Sequence, residues 1–352
     1  MTFSRPDVLV IGAGVIGLSV AVRLQSRGLR TQVVAPSEGL SASDVAAGMI
    51  APVMEAATDP MSASLEAALT GAAGLWPGFA DQFGLGLQRR GCLWLSSCET
   101  GLRSGVETVT PVQARELAPW LAHDLDLHIA YAPAEACVTP AQALAALRCA
   151  LQAAGGELTA GRAGWRDGAF WRDDVRLSAA CVVLATGYGG VSFAEAAPEL
   201  GLMAPIRGQI VRALDAGIGD NGPCVRGPGA YVAPQRGGGA MIGATMEPGE
   251  TEAVTDVASL SRLMAAATAF APGLKDRPHV GLAAIRAATP DGAPMVGPAS
   301  SFPGLFLATG MRRNGWLLAP LVADMICAYL AGEDPGVHAG TMAPKRFIRT
   351  CG

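Results

Sequence analysis

The sequence predicts an α/β protein of two interleaved domains, one on a parallel sheet and the other an α+β domain on a largely antiparallel sheet. Three observations carry this. The run VLVIGAGVIGLSVAVRL, residues 8–24, joins a short β-branched strand to an amphipathic helix through a glycine turn. At 352 residues the chain exceeds the usual span of one hydrophobic core. Residues 206–247 then alternate, in IRGQIVRAL, AYVAPQ and AMIGATME, as antiparallel strands do.

Val8 to Ile11 reads as a buried parallel strand, and Gly12, Gly14 and Gly17 form G-x-G-x-x-G between it and the helix 15–27. This is the Rossmann-type turn, and it implies a dinucleotide at the start of the chain. Gly12 permits the tight turn, Gly14 lets the backbone approach a pyrophosphate, and Gly17 lets the helix pack on the strand. Val15 and Ile16 open that helix, whose free N–H groups and positive dipole end favour phosphate. Thr31 to Ala35 completes the β-α-β unit. Such strands commonly end in Asp or Glu for the ribose hydroxyls, but here Ala35 is followed by Pro36, Ser37 and Glu38. Either Ser37, Glu38 or backbone groups hold the ribose, or that contact is absent.

Further elements follow in order. SASDVAAGMIAP, residues 41–52, is small and apolar, either an ordinary Ala-rich helix start or a segment whose backbone lies against a flat ligand. Residues 62–83 are helical in pattern, and Arg90 to Ser96 reads as a strand outside the nucleotide unit. Thr139 as N-cap and Pro140 at the first position start a helix to Ala153, which Gly155 and Gly156 stop. ELTAG and DVRLSAACVVLATG supply strands, the last ending at Ala185, Thr186 and Gly187 as a ligand-facing carboxyl edge should. RGGG at 236–239 reads as a hairpin turn, Val257 to Phe270 as a helix, and GLFLATG as a strand. Trp316 to Leu330 closes the pattern as a helix preceded by the turn RRNGW.

Half of the residues are hydrophobic, 16% are charged, and the net charge of −4 is scattered without a basic stripe, which argues against nucleic acid as a partner. The eight cysteines (Cys92, Cys98, Cys137, Cys149, Cys181, Cys224, Cys327 and Cys351) form no C-x-x-C pair, so neither a zinc site nor a disulfide framework is expected. Reduced, mostly buried thiols are. MTFSRPDV enters the first strand without a signal-peptide pattern, so a cytoplasmic location is expected. Even LLAPLVADMICAYL is broken by Pro320 and Asp324, and no membrane partner is expected.

Taken together, VLVIGAGVIG, SASDVAAGMIAP with Ser43 three residues before Ala46, IRGQIV, YVAP, IGATMEPG, TPDGAPMVGP and RNGWLLAP resemble, in order, the glycine oxidase branch of the D-amino-acid oxidase family. The resemblance runs over most of the chain and implies FAD, bound without a covalent link. It implies that residues 1–82, 134–203 and 286–352 bind FAD while 83–133 and 204–285 form the substrate domain. By position, Gly12, Gly14 and Gly17 would hold the pyrophosphate, with Ser43, Ala46, Ala47, Gly48 and Met49 along the flavin end and Gly187 beneath the cofactor. Gly310, Arg313, Asn314, Gly315 and Trp316 would approach the isoalloxazine, the last helix aiming its N-terminus at the edge that gains negative charge on reduction.

The family pattern also puts an arginine before T-P-D-G and another before N-G, here Arg286 and Arg313. A guanidinium fork grips a planar carboxylate through paired charge-assisted hydrogen bonds. Arg312 beside Arg313 competes for the second role. Tyr231 matches the family's tyrosine near the substrate carboxylate or is a strand aromatic packing inward, while Met49 and Met246 are pocket walls or core filler. Two departures, Met311 with Arg312 where the family has His and an aromatic, and Gly229 where one branch has His, leave the preferred amino acid open.

No His lies in any motif, which suits hydride transfer from the substrate Cα–H to flavin N5 without an acid-base residue. The resemblance then implies an imine hydrolysed to a 2-oxo acid and ammonia, O₂ reduced to H₂O₂, a role in thiamine thiazole synthesis, and multimers as in other members. Two other flavin readings remain: a D-amino-acid or secondary-amine dehydrogenase with a non-oxygen acceptor, and a flavin-binding protein without turnover. An NAD-dependent dehydrogenase would need the acid that Ala35 replaces.

Overall fold

Continuous apolar runs build the first sheet, as strands covered on both faces require. Val8–Ile11, buried throughout, lies parallel to Thr31–Ala35 on one side and to Cys181–Leu184 on the other. Glu157–Ala160 extends the sheet beyond Thr31–Ala35, Leu305–Thr309 beyond Cys181–Leu184, and Met295–Pro298 closes that edge antiparallel. The computed structural model describes residues 6–97 and 104–348; Cys98 and Cys351 lie outside them.

Helices Val15–Ser26, Ala63–Phe83 and Gly315–Ala331 pack together over one face of this sheet. Gly315–Ala331 is apolar nearly all round because it is buried nearly all round, with Leu317, Leu318, Val322 and Ile326 in the core. Trp76 locks it to the long helix by donating Nε1–H to the Leu317 carbonyl at 3.0 Å.

Among the described residues the second sheet has nine strands, and it grows from the antiparallel pair Ala204–Ala213 with His279–Ala288, in register from Ala204↔Ala288 to Ala213↔His279. Ala240–Gly243, Ala230–Pro234, Cys224–Gly227, Cys92–Ser96 and His128–Ala132 follow, all antiparallel except Cys224–Gly227 against Cys92–Ser96. Side chains alternate across it. Val211, Val225, Val232 and Ile242 pack under the helix Val257–Phe270, with Leu263, Ala267 and Phe270. Ile210, Tyr231 and Ala284 point to the other face.

Several details differ from the sequence reading. The segment before Cys181–Leu184 is a separate three-stranded meander of Ala163–Arg166, Ala169–Arg172 and Val175–Arg176. The run HVGLAAIRAA is a ten-residue strand that stays in the second sheet to Ala288, beyond the expected boundary at 286. Thr139 stands at the N-cap of Pro140–Ala153, but its hydroxyl accepts from the Arg236 backbone N–H at 3.1 Å and Gln88 Nε2 at 3.3 Å instead of from its own helix. It ties the helix start to the second sheet's hairpin. Cys92, Cys137, Cys224 and Cys327 are buried free thiols, whereas Cys149 is exposed and Cys181 half-buried. No described helix is long and apolar enough to cross a membrane.

Glu135 is buried, its Oε1 accepting from the Met54 N–H at 2.9 Å. Burial pushes its carboxyl up to about 7, against the pull of Arg226 and the Met54 bond. Because the folded pKa lies above the unfolded one, the stabilisation is full below about 4.5 and is lost as pH rises toward about 7. Thermal midpoints measured from pH 4.5 to 8 are expected to fall through this window, and Glu135→Gln is expected to flatten the fall. A variant with the parent's slope contradicts the assignment.

Candidate active site

The carboxyl ends of the parallel strands and the Tyr231 face of the second sheet enclose a cleft of about 910 Å³. Its near end is the glycine turn. Gly12 has φ +113°, and a Cβ there would sit 2.3 Å from the Ala185 carbonyl oxygen. A Cβ on Gly17 would lie 1.9 Å from the Gly12 carbonyl. Gly12, Gly14, Val15 and Ile16 line the cleft, but Gly17 does not. It stands one layer back, where helix meets strand, against the Gly12 carbonyl and the Ala185 side chain.

Ser43 faces this helix start and accepts from the Val15 N–H at 3.0 Å. It sits in Ala42–Val45, a single turn closed by a capping box between Ser41 and Asp44. The helix start expected here therefore ends at once, and Ala46, Ala47, Gly48 and Met49 run along the cleft wall. Beyond Ala35, Pro36 and Glu38 line the cleft but Ser37 does not, with Arg148 and Arg162 nearby. Glu38, three residues after the strand, is an acidic group that lines this end, and Asp44 is another.

At the far end, Gly187, Gly310, Asn314, Gly315 and Trp316 line the cleft. Helix Gly315–Ala331 begins there with no side-chain cap, so its first N–H groups face the opening. Trp316 fixes the approach by donating Nε1–H to the Ser43 carbonyl at 3.2 Å. Two helix N-termini thus converge on one elongated space, each favouring negative charge. The lining fits a dinucleotide, whose phosphates would lie at the glycine turn, where no Cβ blocks the backbone, and whose planar head would lie at the second helix.

The second sheet supplies the charged wall. Arg286, paired across the strands with Ile206, lays its guanidinium flat over Gly208, where a Cβ would stand 2.1 Å from Nη1 and 2.2 Å from Cζ. Nη1 donates to the Thr245 carbonyl at 3.1 Å and touches Met246 Sδ at 3.5 Å. Among the described residues no carboxylate pairs with it. Burial lowers its pKa, as expected of a cation short of solvent. Tyr231 lines the same wall, and burial holds its phenol up at about 12, so it is a neutral donor. Met49 and Met246 complete the lining, Met246 being partly open to solvent.

Arg313 differs from the expectation of a second carboxylate grip. Its Nε is 2.5 Å from Glu55 Oε2 and its Nη2 3.5 Å from Asp59, so its charge is already answered. Glu55 also binds Arg226, whose Cζ stands 5.9 Å from the Tyr231 ring, and Asp59 binds Arg312. Glu55, Arg226 and Gly208 were not singled out in the sequence. Glu55 and Arg226 are 171 residues apart, and no local pattern joins them.

The chain matches the family described as DAO, FAD dependent oxidoreductase, over residues 7–329. It is 30% identical to the glycine oxidase of Pseudomonas aeruginosa over 96% of this chain and 98% of that one. It is also 30% identical to the bifunctional protein ThiO/ThiG of a Synechocystis strain, over 98% of this chain and 54% of the relative. The crystal structure of glycine oxidase from Geobacillus kaustophilus superposes with a TM-score of 0.84 at 25% identity, covering 98% of this chain and 99% of that one. An iminodiacetate oxidase from a Chelativorans strain shares the fold, with a TM-score of 0.83 at 21% identity over 96% and 98% of the two chains. With the family match over residues 7–329 and a glycine oxidase relative over 96% of its length, the chain belongs to the DAO family of FAD dependent oxidoreductases, as a glycine oxidase-like enzyme.

Proposed function

We propose that this enzyme oxidatively deaminates glycine or another small amino acid or amine, releasing an imine that water hydrolyses to the carbonyl product, a 2-oxo acid where the substrate is an amino acid, and to ammonia or, from a secondary amine, the smaller amine. O₂ takes the electrons and leaves as H₂O₂. FAD, which the residues along the cleft would hold without a covalent bond, would supply a two-electron acceptor for the Cα hydride. The observation that carries this reading is Arg286, a desolvated guanidinium with no carboxylate partner among the described residues, at the acceptor end of the cleft.

The protein's part is placement. Arg286 takes the substrate carboxylate in its fork, and the neutral Tyr231 phenol donates one further hydrogen bond. Met49 and Met246 close the sides against a large substituent. Gly12, Gly14, Val15, Ile16 and Ser43 hold the phosphates, and Glu38 stands in for the usual ribose acid. Residues 46–49, Gly187, Gly310 and 313–316 surround the flavin, the last helix N-terminus facing the edge that gains charge. In this reading the parallel sheet and its helices form the FAD domain and the nine-stranded sheet the substrate domain. This reading places the enzyme in forming the thiamine thiazole, and the likeness to the ThiO/ThiG relative is in keeping with a thiamine-linked role.

Purified protein is expected to show flavin bands and to release peroxide with at least one of glycine, sarcosine, D-alanine and D-proline. Reduction by substrate with slow reoxidation in air would favour a dehydrogenase; no reduction by any of them overturns the proposal.

Gly208 gives a second check. Alanine there collides with the Arg286 guanidinium, which is a flexible side-chain end and moves aside. Gly208→Ala is expected to raise KM for the amino acid about tenfold or more, with flavin content unchanged. Parent-like KM would show that Arg286 does not need that resting place.

A further inference from the structure

Four guanidiniums crowd the acceptor end of the cleft: Arg226, Arg286, Arg312 and Arg313. Three of them are answered by two carboxylates. Glu55, on the short helix Pro52–Thr58, binds Arg226 through Oε1 and Arg313 through Oε2, and Asp59 takes Arg312. The Glu55 side chain is only 9% exposed and itself lines the cleft, so it is the wall that a substrate meets beside Arg286. Its negative charge also reaches Arg286 and Tyr231.

We infer that Glu55 is a specificity determinant: by occupying Arg226 and Arg313 it leaves Arg286 as the single carboxylate receptor, so the enzyme selects amines with one carboxylate and rejects those with two. This rests on the proposed function. Inside a site short of water, an anion brought against Glu55 meets both repulsion and a guanidinium already neutralised. The same anion facing Arg226 and Arg313 without Glu55 would find two unpaired cations whose burial makes an incoming carboxylate welcome. The second receptor is therefore built into the cleft and masked.

Sarcosine and iminodiacetate test this, because both are secondary amines on a glycine frame and differ by one carboxylate. The ratio of kcat/KM for iminodiacetate over sarcosine is expected to be low in the flavin-loaded parent and to rise about 30-fold or more in Glu55→Gln, which keeps the shape and removes the charge. Glu55→Asp, which restores it, is expected to return the ratio toward the parent's. Binding without turnover gives an independent reading, from flavin spectral titrations with acetate and malonate: the parent prefers acetate and Glu55→Gln shifts toward malonate. An unchanged ratio in Glu55→Gln, or a parent that accepts iminodiacetate as readily as sarcosine, overturns the inference. If Glu55→Gln fails to fold, the preference of the parent and of Glu55→Asp for acetate over malonate decides. A parent that oxidises neither amine defeats the proposed function, whereas the two titrations still report on Glu55.

Discussion

Arg286→Ala is expected to lower kcat/KM for the amino-acid substrate about 1,000-fold while leaving flavin content and thermal midpoint close to the parent's. Each charge-assisted hydrogen bond from the guanidinium contributes about 1.5–3 kcal/mol, so losing a two-pronged grip costs about 4 kcal/mol, or about three powers of ten. Most of that loss belongs in KM together with kcat, since a substrate free to tumble presents its Cα–H wrongly. The folded state should not suffer, because Arg286 has no ion-pair partner among the described residues to abandon and desolvation already disfavours its charge. Parent-like kinetics in this variant would remove the carboxylate clamp. Loss of flavin would instead place Arg286 in cofactor binding.

The second large effect belongs to the glycine turn. Gly17→Ala puts a methyl 1.9 Å from the Gly12 carbonyl, and Gly12→Ala adds strain at φ +113° to a contact 2.3 Å from Ala185. Both obstacles are backbone, at the junction of the first helix with the buried strand Val8–Ile11. Each variant is expected to lose about 3 kcal/mol of stability and most of its flavin, measured as thermal midpoint and flavin-to-protein ratio. The parent's midpoint and full flavin content in Gly17→Ala would show that the helix can sit further from the strand than the structure has it.

Legibility followed the range of the physics. Gly12 and its neighbours were readable because turn, strand and helix lie within 20 residues and each constrains the others. Val257–Phe270 was readable from its own periodicity. The meander at 163–176 carries a local signal in Asp167-Gly168, both with positive φ as a tight hairpin demands. HVGLAAIRAA gives almost none: four of its ten residues are alanine, and its strand character comes from ten pairings with residues more than 60 positions away. Arg286 stood out as one charge in an apolar run, whereas Glu55 looks like an ordinary helix residue until Arg226 and Arg313 are folded against it. For the same reason Arg313 could be picked out but its engagement could not, since ion pairing depends on which carboxylate the fold delivers.

Anaerobic mixing of the flavin-loaded protein with glycine, sarcosine or D-alanine, each beside the amine that lacks its carboxylate, tests the central claim most directly. The account predicts that the amino acid bleaches the visible flavin band, that the matching amine does not at equal concentration, and that Arg286→Ala loses the difference. Equal bleaching by amino acid and amine, or no bleaching by any of them, would contradict it.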